Sequence, residues 1–201
     1  MGERGRPRAF DRDVALRKAM DIFWAQGYEG TSMTDLTTAM NVASPSIYAC
    51  FGSKESLFRQ AIEMYAELEG AVPLRALKDA PTAREGVAAM LGANADSFAD
   101  PAKPPGCMIV LAAVAGTTKN DEVRELLLQG RQKMRNLFQH RLEQGVKDGD
   151  VPATADVDRI AGFYNTVLQG MSIQSRDGAT REELQSTIDC AMQAWDGILN
   201  T

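Results

Sequence analysis

Histidine and cysteine are scarce in this 201-residue chain. There is one histidine, His140, and three cysteines, Cys50, Cys107 and Cys190. An odd number of widely spaced cysteines makes neither a disulfide framework nor a zinc knuckle, and it suits a reducing compartment. One histidine leaves metal sites and histidine-based catalysis poorly supplied, and no phosphate-binding glycine loop is evident. An enzyme is therefore not expected, and no cofactor is implied. No apolar run reaches the length of a membrane span. The opening MGERGRPRAFDRD lacks the apolar core of a secretory signal, so a cytoplasmic location is expected. Positive charge is also in deficit, with a net charge of −5. Taken alone, that argues against a nucleic-acid partner.

The distribution of charge says otherwise. Residues 1–63 carry 8 Lys/Arg and 8 Asp/Glu, while residues 64–201 carry 14 against 19. The whole deficit lies in the second part. Arg4, Arg6, Arg8 and Arg12 crowd the first twelve residues. The chain thus reads as a basic arm, a neutral small module over 1–65 and an acidic larger module over 66–201.

What is abundant is helical patterning. Asp11 caps a helix through Val14, Leu16, Ala19 and Phe23 that Gly27 should stop. Ser32 with Asp35 makes a capping box for MTDLTTAM. Ser44 is expected to cap a short third helix with Pro45 in its first turn, anchored by Ile47 and Phe51. Ser53 caps a fourth helix with Leu57, Phe58, Ala61, Ile62 and Tyr65 inward. GAVPLRALKDAP reads as a bend between modules. Beyond it, Thr82 with Glu85 opens a helix, DPAKPPG is a loop, and CMIVLAAVAG is a buried helix or strand, with helix favoured by context. Asn120 caps a long helix, KDGDVPAT is a loop, and two strongly amphipathic helices follow, over about 157–171 and 180–199. The expected fold is all-α.

Residues 32–50 form helix, tight break, short helix, which is a helix-turn-helix. The second helix needs a face without bulk if it is to enter a major groove. Ser44, Ser46, Ala49 and Cys50 supply it, since hydroxyls can bond base edges and small apolar groups can touch a thymine methyl. Tyr48 is long enough to reach a phosphate. Ser53 and Lys54 at the next helix start form a second phosphate clamp. Arg4, Arg6 and Arg8 could follow the backbone or enter the minor groove. Thr31, Ser32 and Pro45 complete the expected DNA-facing set.

Residues 4–65 resemble the N-terminal domain of TetR/AcrR-family transcriptional regulators. The matching stretches are the GRPRAFDRD lead-in, AMDIFWAQGYEGTSM and TDLTTAMNVASPSIYACFGSKESLF. Two features depart from the pattern. Pro45 stands where many members have lysine, and Ala49 and Cys50 stand where many have histidine or an aromatic residue. Both bear on the operator sequence; Tyr48 and Lys54, the phosphate-contact positions, are kept. GCMIVLAAVAG and QGMSIQSRDGATREEL are similar to one branch of the family.

The resemblance implies a repressor that binds a palindromic double-stranded DNA operator as a homodimer and is released by a small-molecule effector. It implies an effector pocket in the larger module, lined by Met90, Asn94, Phe98, Cys107, Met108, Leu111, Arg131, Met134, Phe138 and Phe163. Packing alone would account for each apolar member of that set. The last two helices carry stripes too apolar to leave in water, and two copies would make a four-helix bundle about a dyad. Tyr164, Leu168, Met171, Ile188, Met192 and Trp195 are the expected interface. Cys107 follows Pro-Pro-Gly at a helix start, which would favour thiolate and an oxidant- or electrophile-sensing role. Its alternative is a small buried core residue. A helical dimer that binds only protein is the other rival, opposed by the basic arm and the polar face at 44–50.

Overall fold

A computed structural model describes residues 11–114 and 120–199. These residues form ten helices and no strand. The basic arm with Arg4, Arg6 and Arg8 lies outside the described residues.

The first four helices are α1 (Arg12–Gly30), α2 (Met33–Met40), α3 (Ser44–Phe51) and α4 (Lys54–Asp79). Asp11 caps α1 by accepting the N–H groups of Asp13 and Val14, both at 3.1 Å. Gly27 kinks α1 at φ 72° without ending it, and the helix runs on to Gly30. The Ser32–Asp35 capping box is formed, and Asn41 closes α2 in the left-handed region at φ 56°. Two expectations at α3 and α4 fail. Ser44 is the first residue of α3 rather than its cap; Ala43 holds the cap position and gives no side-chain bond. The expected bend at 70–81 is absent, because α4 continues to Asp79 with Pro73 inside it. Pro73 removes one backbone bond there, but Pro73 and Leu77 are buried, and that packing outweighs the local breaker.

The larger module contains α5 (Ala83–Phe98), α6 (Met108–Val114), α7 (Asp121–Asp148), α8 (Val157–Arg176), α9 (Arg181–Gln193) and α10 (Trp195–Leu199). Thr82 and Thr180 form capping boxes, and Asn120 accepts the Val123 N–H at 3.2 Å. α6 settles the ambiguous apolar run as helix. The final helix is split at Ala194, so α9 and α10 replace one continuous element.

Two cores result. The first gathers Phe23, Phe58, Tyr28, Trp24 and Tyr65 from α1 and α4, and also takes in Met108, Ala112, Val123 and Leu127. The α6 helix and the start of α7 therefore complete the core of the small module. Phe23 and Phe58 meet edge to face at 5.0 Å, and Trp24 and Tyr65 at 4.8 Å. Each such fully buried ring contributes about 1.5–3 kcal/mol. The second core packs α5, α7, α8 and α9 around Phe98, Phe138, Tyr164 and Met171.

Candidate nucleic-acid interface and its coupling to the helical body

The α3 helix stands on Ile47 and Phe51, both buried, and turns Pro45, Ser46, Tyr48 and Ala49 to solvent. Tyr48 is 48% exposed although it is a large aromatic residue. Ser44 and Cys50 are half-buried at the edges of this face. No large side chain other than Tyr48 rises from it, which is the relief a groove-reading helix requires. Ser32 lies exposed at the start of α2, where its hydroxyl and N–H engage Asp35. Those bonds hold the Asp35 carboxyl below its ordinary value.

Thr31 does not belong to the DNA-facing set. It is buried, and its hydroxyl donates to the Gly27 carbonyl at 2.7 Å, holding the kink of α1. Ser53 caps α4 by accepting the Ser56 N–H at 3.1 Å. The Lys54 ammonium lies over the Tyr28 ring, 4.2 Å from its centroid. Burial lowers its pKa, while Glu29, Glu55 and Asp35 act in the opposite sense.

Behind Lys54 sits a polar junction absent from the sequence reading. The Tyr28 hydroxyl donates to Glu55 Oε1 at 2.6 Å, and Asn120 Nδ2 donates to both, at 3.3 Å each. The hydrogen bond from Tyr28 holds the Glu55 carboxyl below its usual range, and burial with that same bond pushes the Tyr28 phenol well up. Asn120 is also the cap of α7. One residue thus ties the start of α7 in the body to the first turn of α4 in the head.

A second junction crosses the loop before α6. The Trp24 indole N–H donates to the Gly106 carbonyl at 2.9 Å, and the Cys107 N–H donates to Ser172 Oγ at 2.8 Å. Head helix α1, the loop and α8 are therefore bonded in series. A third contact pairs Lys103 with Glu69 of α4 at 2.8 Å.

Cys107 departs from its expected chemistry. The helix start does offer the Ile109 and Val110 N–H groups, and Tyr65 bonds the thiol, but burial is the larger effect and pushes the Cys107 pKa up. The thiol form is favoured, which is the opposite of what a sensor needs.

Of the expected effector-lining residues, Met90, Asn94, Phe98, Met108 and Phe138 are buried, and Cys107, Leu111, Arg131 and Met134 are half-buried. Phe163 is not among them in space. It is 38% exposed on the outside of α8, with its ring edge to face on Tyr164 at 5.0 Å. The expected dimer residues are corrected in the reverse sense. Tyr164, Leu168, Met171, Ile188 and Trp195 are buried in the monomer's own core, and Met192 packs against it. The Tyr164 hydroxyl donates to the Ala191 carbonyl at 3.2 Å, and burial pushes its pKa up to about 12. The stripe left open on α8 is Phe163, Val167, Gly170 and Ile173. A surface groove of about 450 Å³ opens elsewhere, between Thr82, Arg84, Asp150, Pro152 and Asp196. Among the described residues no cluster of His, Cys, Asp or Glu could hold a metal ion, and no helix is long and apolar enough to cross a membrane.

A small-residue reading helix in a head built from α1, α2, α3 and the start of α4, bonded to an all-helical body, defines a helix-turn-helix DNA-binding regulator. Residues 15–61 match the family described as bacterial regulatory proteins, tetR family. Residues 81–195 match the tetracyclin repressor-like C-terminal domain. The chain belongs to the TetR family of transcriptional regulators. It is 33% identical to the HTH-type transcriptional repressor ComR of Escherichia coli (strain K12), covering 98% of this chain and 94% of that protein. It is 28% identical to the repressor BdcR of the same strain, over 97% of this chain and 94% of that one. Among solved structures, a cysteine mutant of the TetR-family regulator CifR superposes with a TM-score of 0.91 at 46% identity. That match covers 94% of this chain and all of the other, and CifR is there complexed with 26 bp double-strand operator DNA.

Proposed function

We propose that this protein is a cytoplasmic, dimeric repressor that reads a palindromic operator with α3 and leaves it when a small molecule enters the helical body. The observation that carries the reading is the exposed face of Pro45, Ser46, Tyr48 and Ala49 on a helix held rigidly by two buried anchors. ComR and BdcR are named as repressors, and CifR was captured on operator DNA; both facts support the same role here.

Dimerisation uses the open stripe of α8. Phe163, Val167, Gly170 and Ile173 recur at helical spacing, and a Cβ at Gly170 would meet nothing within 4 Å, so a second helix can approach closely there. To read a palindrome, a dyad through this stripe has to set the two α3 helices for half-sites roughly 34–36 Å apart or a multiple of that. Effector binding favours a conformer in which the two heads no longer match this spacing. A tenfold to hundredfold loss of operator affinity requires about 1.4–2.7 kcal/mol of coupling. The hydrogen-bonded junctions at Asn120 and Gly106 are the direct routes for it.

The test is selection of genomic fragments by the purified protein at a fixed salt concentration, followed by sequencing. A recurrent palindrome is expected. Enrichment no greater than the non-specific background would remove the DNA-reading role and leave a protein-binding helical dimer.

A further inference from the structure

We infer that the effector is a short hydroxycarboxylate, held between α7 and α8 by Arg131 and Asn165. This rests on the proposed role of the helical body as an effector site. Several buried polar atoms in the body lack a partner: Nη1 of Arg131, Nε of Arg135, Nε and Nη1 of Arg141, Oδ1 of Asp150 and Oδ1 of Asn165. Three of these residues are engaged through other atoms. Arg135 pairs with Asp158 at 2.8 Å, Arg141 donates to the Ala80 carbonyl at 3.1 Å, and Asp150 accepts the Ala83 N–H. The side chains of Arg131 and Asn165 form no hydrogen bond or ion pair with any described residue.

These two residues share one level of the bundle. α7 and α8 run antiparallel, and Arg135 lies against Gly162, whose added Cβ would sit 3.6 Å from Nη2. One turn back along α7 is Arg131, and one turn forward along α8 is Asn165. Asn165 is 8% exposed. Leu168 is buried on α8 and Met134 half-buried on α7, and a Cβ added at Gly130 would lie 2.9 Å from Ile109 Cγ2 of α6.

A guanidinium cannot shed its proton to escape such a place, and a half-buried cation without a counter-ion is costly. Its planar fork fits a carboxylate through two parallel bonds. The buried Oδ1 of Asn165 at the same level of the bundle can accept a hydrogen bond, which a hydroxyl can donate. An acid bearing a nearby hydroxyl satisfies both residues at once. Binding there would also act on α7, whose first turn is fixed to Tyr28 and Glu55 through Asn120. The same site therefore has a path to the head.

The test uses lactate, glycerate and mandelate as probes, with lactamide and mandelamide as neutral controls. Melting temperature and operator affinity are both read. At least one acid should raise the melting temperature of the wild-type protein and weaken its operator binding about tenfold. The amides should do neither. Arg131→Gln should lose both responses while keeping its operator affinity without ligand, and Asn165→Leu should weaken them. Silence of all three acids in both readouts, equal action of acid and amide, or a wild-type response in Arg131→Gln would overturn the inference. If the wild-type protein binds operator but ignores the acids, this inference alone fails. If it binds no operator, the repressor reading fails, and the melting shifts still decide the acid site.

Discussion

Replacing Gly106 with alanine should be among the most damaging single-methyl additions in the molecule. Gly106 sits at φ 73°, where an L side chain is strained by about 1 kcal/mol or slightly more. An added Cβ would also lie 2.5 Å from the Ser172 carbonyl oxygen and 2.9 Å from Leu111 Cδ1. The first of these is backbone and cannot rotate away, so the loop must move. That movement strains two bonds at once, Trp24 to the Gly106 carbonyl and the Cys107 N–H to Ser172 Oγ. Each is worth about 1 kcal/mol net, and a buried group left unbonded costs about 1–3 kcal/mol. The expected loss is therefore about 3–5 kcal/mol. Gly149→Ala is the matched control. Gly149 also has positive φ, at 85°, but a Cβ there meets nothing within 4 Å, so only the conformational cost of about 1 kcal/mol applies. Urea unfolding of the two variants, compared at equal m-value, measures the difference. A Gly106→Ala variant within 1 kcal/mol of Gly149→Ala would refute both the clash and the bonded junction.

Three further outcomes are expected. Lys54→Gln should lower the slope of log affinity against log salt by about one and, through loss of its contact with Tyr28, cost about 0.5–1 kcal/mol of stability; an unchanged slope would place Lys54 off the phosphate backbone. Glu55 has its folded pKa held below 4.5, so its contribution to stability is fully present above that value and is lost as pH falls through the lower folded value. Glu55→Gln should flatten that acid limb in urea titrations; an identical limb would remove Glu55 as its source. Phe163→Glu should produce a folded monomer with weakened operator binding, whereas Met171→Glu should unfold the chain by burying an unpaired charge; sedimentation and circular dichroism separate these results, and a stable Phe163→Glu dimer would move the interface elsewhere.

Most of the helices were legible because their signals are local. Asp11, Ser32, Ser53, Thr82, Asn120 and Thr180 each bond an N–H two or three residues on, so the partner is visible in the same short stretch. The reading of Gly70 and Pro73 as a bend failed for the converse reason. Their local preference was outweighed by burial of Pro73 and Leu77 against distant helices. Periodicity found the apolar stripes of α8 and α9, but it cannot say whether a stripe meets its own core or a second copy. Tyr164 and Phe163 are adjacent in sequence and lie on opposite sides of that question. The junctions were illegible because Trp24 and Gly106 lie 82 positions apart, and Asn120 and Tyr28 lie 92 apart. Asn120 announced itself only as a cap.

The unbroken course of α4 has a geometrical result. Its 26 residues make a rod about 39 Å long, with the proposed phosphate clamp of Ser53 and Lys54 at one end and the body at the other. A tilt of only about 5° at the body end sweeps the clamp end through ~3 Å, because the arc grows with the rod's length. Two such rods tilting in opposite senses about a dyad would change the separation of their tips by ~6 Å, close to two base-pair steps at about 3.4 Å each. Under the proposed mechanism, a displacement too small to disturb packing at the effector end would thereby be magnified into loss of register on the duplex.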